Sequence, residues 1–180
     1  MIASRCWSLS LLLLLGACGA DAASGPPAAA ADPAVAKLVL GKDPGDAKSV
    51  KAAKAAGATE RAVVFGRIGM RIEPGLAMFT LVDTELPYCG EKNTGDNCKT
   101  PWDYCCENKD TILANSLLVE VRGADGKPIA TPALPELRLL DAVKVTGKLI
   151  TDDHGNLALL ADGLFRVQRP KVPDDLRWPQ

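Results

Sequence analysis

Val143-Lys144-Val145-Thr146-Gly147-Lys148-Leu149-Ile150 decides the fold. Apolar and polar side chains alternate along it, the pattern of a strand with one face buried. Val143, Val145 and Leu149 fall on one side, and Lys144, Thr146 and Lys148 on the other. Downstream, the turn formers Asp152-Asp153-His154-Gly155-Asn156 lead into a further strand, Leu157-Ala158-Leu159-Leu160-Ala161 and Leu164-Phe165-Arg166-Val167. Upstream, Leu134-Pro135-Glu136-Leu137-Arg138-Leu139-Leu140 reads as a short turn or helix. Before it, Leu117-Leu118-Val119-Glu120-Val121-Arg122 alternates and ends at the hairpin signal Gly123-Ala124-Asp125-Gly126. Leu76-Ala77-Met78-Phe79-Thr80-Leu81-Val82-Asp83 and Ala62-Val63-Val64-Phe65-Gly66-Arg67-Ile68 complete the set, joined through Glu73-Pro74-Gly75.

Five strands with short turns and one long interruption predict a mainly β chain: a small five-stranded antiparallel barrel. The order of motifs resembles the OB-fold, in particular its anticodon-binding branch. Gly66-Arg67-Ile68 matches that family's first strand, and Phe79-Thr80-Leu81-Val82-Asp83 its second. Val143-Lys144-Val145-Thr146-Gly147 matches the fourth, and Leu157-Ala158-Leu159-Leu160-Ala161 the fifth. The resemblance runs from about Ala62 to Val167 and implies an OB-like barrel. The exposed aromatic and basic residues of the family's nucleic-acid binders are missing from strands two and three, so that activity does not carry over. The whole-chain charge agrees: 21 basic and 22 acidic side chains leave a net −1, without the basic excess that phosphate binding requires.

The flanks set the location. Met1 to Ala17 carries one positive charge, Arg5, then the leucine run Leu11 to Leu15 and small residues. This is the layout of a secretory signal. Its apolar stretch is too short for the ~20 residues that span a bilayer. Leu15-Gly16-Ala17-Cys18 resembles the bacterial lipoprotein box, which implies cleavage before Cys18 and a lipid on Cys18. Gly19, where an Asp would signal retention, implies the outer membrane facing the periplasm. Residues 18–34, rich in Ala, Gly, Ser and Pro, read as a flexible tether. Residues 35–60 read as a Lys/Ala-rich helical linker, with Asp46 capping a helix from Ala47 to Ala56 and Gly57 ending it. That helix lacks a wide apolar face, so loose packing is expected. Residues 61–168 form the barrel and 169–180 an extended tail.

Within the barrel, Thr84 to Asp110 is an insertion holding Cys89, Cys98, Cys105 and Cys106, both tyrosines and Trp102. Loops of this length are usually functional or specially stabilised. Export would place its cysteines where disulfides persist. Two disulfides are the first expectation, with Cys105 and Cys106 bonding outward to Cys89 and Cys98. In an extended stretch these neighbours would point to opposite sides. Each bond would contribute about 2.5–3 kcal/mol. A zinc or copper site on the four thiolates is the second expectation. Its spacing, Cys-x8-Cys-x6-Cys-Cys, lacks the usual Cys-x2-Cys knuckle. A redox-active pair is the third. Tyr88, Trp102, Asp103 and Tyr104 are candidates for a recognition surface, against the simpler reading that Trp102 and one tyrosine seat the loop on the barrel.

No nucleophile elbow, phosphate-binding glycine loop or histidine-rich box appears, and His154, the one histidine, falls in a turn. The expectation is therefore a lipid-anchored envelope protein, not an enzyme, that binds another envelope protein or a small ligand and needs no cofactor. Metal handling or thiol redox chemistry at the loop is the alternative, and a purely structural envelope role the third.

Overall fold

The computed structural model describes residues 35, 37–93, 95–130, 134 and 137–179. Cys18, the signal segment and the tether lie outside them. The described residues include the strands β1 Lys48–Ser49, β2 Thr59–Ile72, β3 Met78–Val82, β4 Ser116–Glu120, β5 Ala142–Thr151 and β6 Leu157–Gln168, and the short helices α1 Val50–Ala56 and α2 Lys109–Ala114. A 3-10 turn, Pro101–Asp103, lies in the insertion.

Five of the strands close into a barrel. β2 pairs with β3, β3 with β4, and β5 with both β6 and β2, all antiparallel. The circuit is completed by β4 beside β6, and this pair is parallel. The chain is therefore the expected OB-like barrel, with one parallel seam in place of a uniformly antiparallel wall. The alternation along β5 holds. Val143, Val145 and Leu149 are buried, while Lys148 is exposed. They meet Val64, Ile68, Phe79, Leu81, Val119, Leu159 and Leu164 in one core.

Gly147 sits on the inward side of β5, where β5 and β6 shift register. A Cβ there would fall 2.0 Å from the carbonyl oxygen of Leu160, which is backbone and cannot rotate away. Gly147→Ala is expected to cost about 1–3 kcal/mol through overpacking. Thermal denaturation should show a Tm lower by roughly 5–20 °C; an unchanged Tm would mean that the two strands are not so close.

The helix departs from expectation in two respects. It starts at Val50, not Ala47, because Lys48 and Ser49 run extended beside Val64 and Phe65 of β2. Ser49 caps it, accepting the N–H of Ala52 at 3.3 Å, and Gly57 ends it at φ 76°. It is also firmly packed. Val50 and Ala53 are buried in the barrel core. Lys54 Nζ donates to the carbonyls of Leu113 and Ser116 at 2.5 and 2.9 Å. Asp83, fully buried at the end of β3, accepts the N–H groups of Lys51 and Glu85 at 2.8 and 3.0 Å. Burial alone would push its carboxyl up. These backbone donors, Ser49 and the Lys51 charge hold it below the usual carboxylate range. This one side chain ties the helix to the mouth of the insertion.

Among the described residues, the segment before β5 is a turn: Asp141 donates its N–H to the Arg138 carbonyl at 3.2 Å. Asp141 is fully buried and held by both ends of the Arg169 fork at 2.7 Å. The tail runs without regular structure but is docked. Trp178 stacks on Trp102 with ring centroids 4.6 Å apart, and Arg177 N–H donates to the Lys99 carbonyl at 2.9 Å. No described helix is long and apolar enough to cross a membrane.

Candidate functional site

The insertion leaves β3 at Asp83 and returns through α2 to β4. Its apolar residues seat it. Leu86, Tyr104 and Val82 form a small cluster on one flank, and Trp102 joins the barrel core. Arg67, on the outer face of β2 and buried beneath the insertion, braces the neck. Its guanidinium donates to Glu91 Oε1 at 2.8 Å and to the Leu86 carbonyl at 3.4 Å, and lies 4.8 Å from the Tyr88 ring centre. Cys89 N–H donates to the Pro101 carbonyl at 3.2 Å, which clips the two limbs of the loop together.

This seat corrects the recognition-surface expectation. Trp102 is 3 % exposed and Tyr104 is wholly buried. Both are anchors and present nothing to a partner. Tyr88 is half-buried under Arg67, and of the four only Asp103 is exposed. Burial pushes the Tyr104 phenol up to about 12, with the Arg67 charge opposing. His154 lies in an exposed turn, where its N–H donates to Asp152 at 2.9 Å.

The same seat gathers the cysteines. Tyr104 adopts a left-handed backbone at φ 51° and ψ 35°. Glu107 N–H then donates to the Tyr104 carbonyl at 2.9 Å, which makes Cys105 and Cys106 the two central residues of a turn. They are not in an extended stretch, and they do not point apart. The Cys89, Cys105 and Cys106 sulfurs all lie within 4.8 Å of one another. Cys105 Sγ is 3.6 Å from Cys89 Sγ and 3.9 Å from Cys98 Sγ. The spacing objection to a shared centre therefore does not hold. A tetrahedral zinc with bonds of ~2.3 Å has sulfurs about 3.8 Å apart along its edges.

The four sulfurs differ in setting. Cys89 is buried at 8 % exposure, Cys98 is half-buried, and Cys105 and Cys106 are exposed. Burial alone would raise the Cys89 thiol. The Cys106 N–H and the thiols of Cys105, Cys106 and Cys98 all donate to it and hold it below its ordinary value. Cys105 is pushed up to about 12, first by donating to Cys89 and then by burial. Cys106 is raised, chiefly by the same donation. The neighbouring donors thus favour the Cys89 thiolate over its burial. Asp96 supports the far side, accepting the Cys98 N–H at 3.0 Å, with its carboxylate 4.0 Å from Cys106 Sγ.

Three contributors escape a reading of the sequence: Arg67 with Glu91, Asp96, and Trp178. Nothing in the spacing marks Arg67 with Glu91 or Trp178 with Trp102, whose pairings join segments brought together only by loop seating and tail docking, while Asp96 acts locally, two residues from Cys98. No protein-family model matches the chain, and no curated protein matches it in sequence.

Proposed function

We propose that this is a lipid-anchored envelope protein that binds a soft metal ion, zinc or copper(I), through Cys89, Cys98, Cys105 and Cys106. One observation carries the reading: the Cys89, Cys105 and Cys106 sulfurs lie within 4.8 Å of one another, and Cys98 Sγ lies 3.9 Å from Cys105 Sγ, so one turn gathers a soft donor set. The barrel's part is to hold the loop in place. Anchoring rests on the lipoprotein box at Leu15-Gly16-Ala17-Cys18. A second reading draws on the same closeness. Cys105 Sγ lies 3.6 Å from Cys89 Sγ, and an oxidising compartment would join the two as a disulfide. Cys98 would then take Cys106, and the stapled loop would serve to bind an envelope protein or small ligand.

The test is metal analysis of the native protein, with its intact mass before and after alkylation under non-reducing conditions. One zinc or copper per chain, with four thiols alkylated after its removal, is the expected result. A mass with no alkylation and no metal would establish the stapled loop instead. Anchoring is tested separately. Cys18→Ala is expected to leave the membrane fraction, as uncleaved precursor or soluble protein. Wild-type protein that is soluble without detergent and carries no acyl mass would overturn the anchor.

A further inference from the structure

We infer that the bound ion is exchangeable cargo, passed through the exposed Cys105 and Cys106 face to a partner that offers sulfur or imidazole ligands. The inference rests on the metal reading of the loop. A structural metal site is built from a segment that has no shape without the ion, and metal binding and folding are then one event. This loop is built differently. Trp102 and Tyr104 are buried against the barrel, and Arg67 holds Glu91 and the Leu86 carbonyl. Cys89 is clipped to Pro101, and Lys99 is paired with Asp175 of the tail. The turn that presents Cys105 and Cys106 is closed by its own backbone hydrogen bond. None of these contacts involves a sulfur, so the loop keeps its shape without an ion.

The exposure of the ligands points the same way. Cys89 is the buried anchor, while the other three sulfurs border solvent. An incoming ligand reaches the ion from that side without unfolding the loop. In the exchange step a metal–sulfur bond to the partner thiol forms as the bond to Cys105 or Cys106 breaks. The proton of the partner thiol moves to the released cysteine sulfur. Charge and atoms balance, and no electron is transferred. A site enclosed on all sides would release its ion only by opening, at a rate set by the protein alone.

The experiment uses the reduced, full-length protein in detergent, loaded with one equivalent of Zn2+. It is challenged with a chromogenic zinc chelator over a hundredfold range of concentration. The release rate is expected to rise in proportion to chelator, and amide exchange of residues 99–106 should stay within a few-fold of the loaded protein after zinc is removed. A release rate independent of chelator, with those amides exchanging freely in the metal-free protein, would overturn the inference and leave a structural zinc site. Protein that takes up no zinc at all would overturn the metal reading itself, and the stoichiometry separates the two failures before any rate is measured.

Discussion

Val145→Asp is expected to leave no folded domain. Val145 is fully buried at the middle of β5, paired with Val64 on β2 and Leu164 on β6. Loss of the valine's burial costs about 1.5–3 kcal/mol. No described cation lies among the core residues to pair with the new carboxylate. A carboxylate taken out of water without a partner costs several kcal/mol more, or stays protonated at a similar penalty. The sum rivals the ~5–15 kcal/mol total stability of an ordinary domain. Far-ultraviolet circular dichroism should lose its β signature and the urea transition should vanish. Lys148→Asp, on the outward side of the same strand, is the control. It replaces an exposed ion pair with Glu60 by an exposed like-charge pair, an effect on the order of 1 kcal/mol in solvent. If the two variants are equally stable, the facing of β5 is wrong.

Cys89→Ser should abolish metal binding while leaving the barrel intact. Cys89 is the buried member of the sulfur cluster, and the other thiols converge on it. A serine hydroxyl is a poor ligand for a soft ion at neutral pH. We expect zinc affinity to fall at least 100-fold, about 2.7 kcal/mol, with an unchanged circular dichroism spectrum. Cys98→Ser should weaken binding less, because Cys89, Cys105 and Cys106 remain the mutually close trio. Competition with a chelator of known affinity measures both. Equal losses at all four cysteines would argue against a buried anchor. Binding should also weaken as pH falls, since every ligand must lose its proton to bind.

The barrel was legible because β5 is a clean period-2 strand and its neighbours carry the same signal. The parallel seam between β4 and β6 was not, since pairing direction leaves no trace in alternation. The helix end at Gly57 was readable from residue chemistry. Its start was not, because Lys48 and Ser49 follow the edge of β2 in preference to their own propensity. In the loop, the count and closeness of the cysteines were plain. Their geometry turned on Tyr104, a bulky residue in a left-handed conformation that few sequences would suggest. Burial of its ring supports that conformation, and burial is set by the fold. The same limit hid the docked tail: Trp178 looks like part of a charged, proline-rich end until Trp102 is placed beside it.

The parallel seam has a consequence for how the molecule is made. β4 reaches β3 only across the long insertion, and its other edge is satisfied only by β6, where Leu118 meets Ala158 and Glu120 meets Leu160. Every step that closes the barrel is thus long in sequence, and such topologies fold slowly, on the order of milliseconds to seconds. Until β6 arrives, β4 shows a bare row of amides and carbonyls beside Leu117 and Val119, the kind of edge that recruits other chains. An exported chain would cross its membrane and meet its neighbours in that state, so the interval before the last strand docks is when this protein is most exposed to aggregation.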